Sequence, residues 1–178
     1  MARVPYLDAE DMPEEYRYLL TKNTVGEANI FRALANNPPV MQSYMRYGST
    51  LWDDTGLEKR GVEVVILAVA TDMRADYEWH QHVRIARDAG LTDEEIVAIR
   101  DRDLDELAAD EAALVEYATA IINREVDDAL FEAVSEHHDD RTMVGVALLA
   151  GHYVMTAVML EALDVQPREE FVGWDIEN

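Results

Sequence analysis

The chain has 178 residues, 49% of them hydrophobic, which is one domain's worth of sequence with enough apolar content for a core. Its formal net charge is −22, with 37 Asp and Glu against 15 Lys and Arg. A field of that sign repels phosphate backbones and anionic lipid, so nucleic-acid and membrane-surface binding are excluded as expected functions. There are no cysteines, which removes disulfides, thiolate metal sites and thiol redox cycles.

The acids are dispersed rather than run together, so they read as a solvated surface. An acidic, Lys-poor surface around an ordinary core is similar to that of proteins from salt-loving organisms. The N-terminal stretch MARVPYLDAEDMPEEYRYLL lacks the basic-then-apolar order of a signal peptide. The longest uninterrupted apolar run, Val64–Ala70, is too short to span a bilayer. A soluble cytoplasmic protein of one domain, residues 1–178, is the expectation.

In chain order, residues 1–24 form an arm with Pro5 and Pro13 and a short helix near Glu14–Thr21, placed along the outside of the domain or against a neighbouring subunit. Asn29–Asn36 is helical in pattern, and Pro38-Pro39 ends it or starts the next segment. Val40–Leu51 carries Met41, Tyr44, Met45, Tyr47 and Leu51 at helical spacing, as core packing requires. Thr55 and Glu58 match a capping box, which predicts a helix start near Gly56. From Val62 to Ala70 every residue except Glu63 is apolar, the pattern of a helix buried nearly all round.

A breaker region at Thr71–Asp76 separates that helix from one carrying YEWHQHVRIARDA, with Gly90 suited to the position just past its end. Thr92 and Glu95 give a second capping box. Further helices are predicted at Asp110–Asn123, Asp127–Glu136 and Asp140–Leu163, the last containing Gly145 and Gly151. No strand alternation or hairpin dipeptide occurs, so the predicted fold is all-α.

The chemistry-bearing residues concentrate between Thr55 and Leu91. Glu78 and His82 are four apart and share a helix face. Antiparallel packing of the two helices would bring Glu63 to that pair, and a carboxylate beside an imidazole fixes its tautomer and raises its pKa, as acid–base work requires. Two plainer arrangements use the same residues: Glu63 buried against Arg60 or Arg74, and Glu78–His82 as a helix-surface pair. His80 and His82 are two apart on a helix, about 200° from one another, so they do not chelate together, and with no third ligand beside Glu78 and His82 no metal site is expected. His152, on an apolar helix, reads as a core histidine.

R-x-x-E-x-x-I-L-x-V-A from Arg60 to Ala70, followed by YEWxQHVxIAxxAGL from Tyr77 to Leu91, resembles the carboxymuconolactone decarboxylase family of the alkylhydroperoxidase D-like superfamily. The lead-in NIFRALANNPPVMQSYMRYGSTLWDDTGL resembles that family too, and the likeness covers about residues 28–120. It implies an all-α bundle of about six to eight helices in trimers or hexamers. The superfamily's redox branch carries C-x-x-C-x-x-x-H with an acid twelve residues before the first Cys. With its His laid on His82 and its acid on Glu63, the Cys positions fall on Ala75 and Glu78, so the thiol peroxidase mechanism is not expected. The decarboxylase branch implies cofactor-free loss of CO2 from a small carboxylated lactone. On that resemblance His82 carries the proton, Glu78 orients it, and Glu63 is a second acid–base group or clamp. Arg74 or Arg84 holds the substrate carboxylate, and Tyr77 and Trp79 wall the site. Isomerisation or hydrolysis of a lactone, or non-catalytic ligand binding by an oligomer, are the alternatives.

Overall fold

A computed structural model describes residues 2–21 and 28–176. Among these residues the structure is all-α, with nine α-helices and no strand, slightly more helices than expected. They are α1 (Tyr18–Thr21), α2 (Asn29–Leu34), α3 (Pro38–Asp54), α4 (Lys59–Asp72), α5 (Asp76–Asp88), α6 (Asp93–Asp101), α7 (Ala109–Asn123), α8 (Asp128–Ser135) and α9 (Asp140–Leu163).

The bundle is built around α4. Val62 through Ala70 are all buried, Glu63 included, and α5, α6, α7 and α9 pack against this helix. A run apolar on every side has no solvent face to offer, so neighbours must surround it. At its N-terminus the Arg60 guanidinium bonds the Gly90 carbonyl at 2.6 Å and both carboxylates of Glu95 and Glu111, closest approach 2.6 Å to each. This ties α4 to α6 and α7, and Arg60 is thereby spent on partners other than Glu63.

The helix does not begin near Gly56. Thr55 Oγ1 accepts the N–H of Leu57 rather than capping a helix, Gly56 adopts φ +92°, and α4 starts at Lys59 with Glu58 as its N-cap. The T-x-x-E pattern was met by a turn that only glycine enters cheaply. The second capping box forms as predicted: Thr92 Oγ1 accepts from Glu95 N–H, and Glu95 Oε2 accepts from Thr92 N–H at 2.8 Å. Gly90, at φ +97°, ends α5, and Asp139 caps α9 through the N–H of Thr142.

The connection from α4 to α5 is three residues, with Ala75 N–H donating to the Ala70 carbonyl and Arg74 in the left-handed region. So short a link folds α5 back antiparallel along α4. The N-terminal arm lies on the outside of the bundle, where Arg3 N–H bonds the Leu163 carbonyl and Tyr6 OH accepts from Gln166 N–H.

By length and composition α9 could cross a membrane, with mean hydropathy 1.8, although the longest uninterrupted apolar run is short. Here it is a core helix, 56% of its apolar window buried. Gly145 lets it approach the backbone of Thr55, where a Cβ would stand 2.4 Å from the Thr55 carbonyl oxygen. Its outer face exposes Val144, Leu148, Met155 and Val158.

Candidate active site

The α4–α5 hairpin brings three ionisable side chains into one buried cluster. Glu63 Oε2 lies 2.9 Å from His82 Nδ1, and Glu78 Oε2 lies 3.5 Å from His82 Nε2 across one turn of α5. The imidazole is therefore flanked by a carboxyl on each nitrogen. All three residues are at most 6% exposed. Glu63 Oε1 has no hydrogen-bond partner and is buried.

Burial and the two neighbouring groups set the protonation. Removal from water pushes the Glu78 carboxyl up to about 7; the His82 charge draws it back down only in part, and Glu63 pushes it further up. Burial alone would lower the His82 pKa, but the charge and hydrogen bond of Glu63, with the charge of Glu78, turn the net shift upward. Two acids around one base thus hold protons that are exchangeable near neutral pH, and the titration belongs to the group as a whole.

Glu78 and His82 open onto a pocket of about 560 Å³ between α2, α3, α5 and α9. Its walls are mostly apolar and aromatic: Ile30, Phe31, Tyr44, Trp52, Tyr77 and Tyr153 among them. Tyr153 meets His82 edge-on at 5.1 Å and its hydroxyl accepts the Trp52 indole N–H at 2.9 Å. Burial, then the charge of Glu78, raise the Tyr153 pKa well above that of a free phenol, so this wall stays neutral. Among the described residues no Lys or Arg lines the pocket; its acidic side chains are Asp53 and Glu78, and its imidazoles are His82 and His152.

Glu63, Glu78 and His82 therefore meet as predicted, with one change: the close hydrogen bond to the imidazole comes from Glu63, not Glu78. Tyr77 lines the pocket and its hydroxyl accepts the Ile30 N–H. Trp79 does not line it. This side chain is 0% exposed in the core, stacked on Trp174 at 5.0 Å and bonded to the Gly173 carbonyl. Arg74 and Arg84 are exposed and border other surface depressions. Position 84 is two residues from 82, on the opposite side of α5 from the imidazole. His80 likewise faces away and accepts the Val172 N–H. No group of three or more His, Asp or Glu among the described residues has the geometry to hold a metal ion.

Sequence reading placed His152 in the core, where it is buried, but missed its place on the pocket wall. It lines the same pocket from α9, is 6% exposed, and its buried Nδ1 has no hydrogen-bond partner. One polar residue in the apolar run of α9 was the available signal.

Residues 38–120 match the profile of the carboxymuconolactone decarboxylase family. No curated protein matches. Among solved structures, the chain is similar to the alkylhydroperoxidase AhpD core of an uncharacterized peroxidase-related protein from Ralstonia eutropha JMP134, with TM-score 0.85 at 20% identity, covering 99% of this chain and 98% of that one. It is similar to an uncharacterized peroxidase-related protein from Silicibacter sp. TM1040, with TM-score 0.83 at 18% identity, covering 97% and 94%. It is also similar to the debrominase Bmp8, with TM-score 0.79 at 14% identity, covering 93% and 91%. The profile match and the Glu63–His82 hairpin fall on the same segment, and the chain, which has no cysteine, shares the all-α fold of these AhpD-like structures.

Proposed function

We propose that this chain is an acid–base enzyme that moves protons on a small, flat ring substrate, a decarboxylase-like lyase or a closely related isomerase, working in the cytoplasm. The observation that carries the reading is an imidazole with a buried carboxyl at each ring nitrogen, at the wall of an aromatic pocket, where burial pushes the Glu78 carboxyl up to about 7. In this reading Glu63 fixes the ring and tautomer of His82, and Glu78 and His82 exchange the working proton with substrate. Laid on the superfamily's redox pattern, Glu78 occupies the position of the second Cys, so a proton-transfer group stands where a thiol would.

For decarboxylation of a carboxylated lactone, the bond from ring carbon to carboxyl carbon breaks and CO2 leaves. The electron pair remains as an enolate spread onto the lactone carbonyl, and Glu78 or His82 delivers a proton to the ring carbon. That no Lys or Arg among the described residues lines the pocket favours the related reading, in which the substrate is uncharged and only its proton is relocated. Bmp8 is described in complex with 2,3,4-tribromopyrrole, a flat uncharged heterocycle, which supports a ring-shaped occupant for a pocket on this fold.

The homo-oligomer, a trimer or hexamer, that the resemblance implies is kept as part of the proposal, supported by the exposed apolar face of α9.

The test is solvent deuterium exchange. Purified protein is incubated in D2O with 4-carboxymuconolactone and with uncharged lactones and pyrroles, and carbon-bound deuterium is followed by NMR. Enzyme-dependent incorporation that disappears in His82→Ala and Glu78→Gln supports the reading. Incorporation that persists undiminished in both variants, or is absent across the panel, contradicts it.

A further inference from the structure

We propose that His152 is a ligand-binding residue: it anchors the far end of a flat, uncharged ring compound whose near end meets Glu78 and His82. The inference rests on the reading that this pocket is the substrate site, and it names the substrate class more closely, as a ring bearing a hydrogen-bonding group at each end.

A buried ring nitrogen without a partner is destabilising, and native proteins keep few of them. His152 Nδ1 is such an atom, so the fold makes no use of this ring; Nδ1 is itself sealed off, and a molecule in the pocket meets the imidazole at its Nε2 edge, beside Gly48. The polar groups nearest to it are committed to one another: Tyr44 OH and Thr156 Oγ1 are 2.9 Å apart, and Thr156 Oγ1 bonds the His152 backbone carbonyl, not the ring. No side-chain hydrogen bond of the described residues uses this imidazole, and the residues around it from Met143 to Met155 are apolar, glycine or Tyr153.

The surroundings hold the ring as a site would. Tyr44, Tyr47 and Tyr153 pack around the imidazole with ring centroids 4.9, 5.4 and 5.5 Å away, which fixes its plane. Gly48 sits inside α3, where glycine costs about 1 kcal/mol relative to alanine. A Cβ there would stand 3.3 Å from His152 Nε2, so the glycine keeps that edge of the ring clear.

Both His82 and His152 pack edge-on against the ring of Tyr153, at 5.1 and 5.5 Å, and all three line the one pocket, so the two imidazoles lie within the reach of one small ring compound. The chemistry of the two ends differs. One offers an exchangeable proton; the other offers a neutral imidazole, which can donate or accept but carries no charge to attract a carboxylate. Burial, which lowers the His152 pKa, keeps it in that neutral form. Aromatic walls with no Lys or Arg among the described residues then favour a flat, neutral ring with a hydroxyl, carbonyl or ring N–H at either end.

The probes are phenol, resorcinol and hydroquinone, handled under nitrogen, titrated into 15N-labelled protein with the imidazole nitrogens followed by NMR. Phenol offers one polar end and the diols two. The expected result is that all three move the His82 signals, while at least one diol also moves those of His152. That diol binds about tenfold more tightly than phenol, the worth of one net hydrogen bond. His152→Leu removes the advantage and leaves phenol affinity within about twofold. Gly48→Ala, which keeps the histidine, reduces the same advantage by crowding the ring edge.

Signals of His82 that move while those of His152 stay fixed with every probe would overturn this inference and leave the acid–base reading standing. If neither histidine responds, the inference fails together with the pocket it relies on. A diol that engages His152 in a protein whose Glu78 titrates like a free carboxyl upholds the inference and discards the acid–base reading.

Discussion

The α4–α5 wall of the pocket and its α9 wall each present one buried histidine, and the bundle treats them in opposite ways. On the first wall the imidazole has a carboxyl at each nitrogen, and its pKa is pushed above the ordinary value. On the second the imidazole has tyrosine rings around it, an unpartnered Nδ1, and a pKa lowered by burial. Equal exposure thus goes with pKa shifts of opposite direction, because the neighbours decide whether burial or a nearby charge wins. The difference teaches how the pocket divides labour: one wall stores a proton and the other stays neutral.

Breaking the charged wall should cost most. His82→Ala or Glu78→Gln is expected to lower turnover about 10²- to 10⁴-fold, the usual worth of a positioned acid or base. Deuterium incorporation rates check this. Glu63→Leu should leave a buried imidazole without its closest partner and destabilise the fold by about 3–5 kcal/mol, read from urea unfolding at pH 6.

The pH dependence of stability sharpens the contrast next. The folded-state pKa of Glu78 is raised from 4.5 to about 7, so the folded chain binds this proton more tightly than the unfolded chain between those values. Stability from this group is therefore full below pH 4.5 and falls as pH rises to about 7. The raised pKa of His82 acts in the same direction, its contribution being full below 6.5 and lost as pH passes above its folded value. Glu78→Gln should flatten the decline between pH 5 and 8 by an amount on the order of 3 kcal/mol at its upper end. Unfolding curves across that range test it.

On the neutral wall the expected sign is reversed. His152→Leu removes a buried, unpaired nitrogen and should leave stability unchanged or raise it by about 1 kcal/mol, seen as an increased Tm. A loss of several kcal/mol would mean that the ring is structural. The smallest effect is expected from Arg74→Ala and Arg84→Ala, which lie away from the pocket and should change turnover by less than about twofold.

The fold and the charged wall were legible in the sequence for definite reasons. A single acid inside Val62–Ala70 cannot reach solvent from a helix buried on all sides, so Glu63 had to find a partner within the bundle. The i, i+4 spacing put Glu78 and His82 on one face, and the short break at Met73–Ala75 folded that face back onto Glu63. Asp140–Leu163 was readable to the residue because Asp139 caps it. The neutral wall was not legible, because periodicity says which residues are buried but not whether a buried imidazole finds a partner. Trp79 and the arginines were misplaced for a related reason: proximity in sequence says little about the side of the helix a residue occupies. The Thr55–Glu58 pattern failed because Gly56 turned the chain before a helix could begin.

The most direct test of the central claim is the site-specific titration of Glu78 and His82 by 13C and 15N NMR in the folded protein, with Glu78→Gln and His82→Ala for assignment. The account predicts a carboxyl titrating near 7 and an imidazole that stays protonated above its ordinary value. A Glu78 that titrates near 4.5, beside a His82 that is neutral at pH 7, would contradict it.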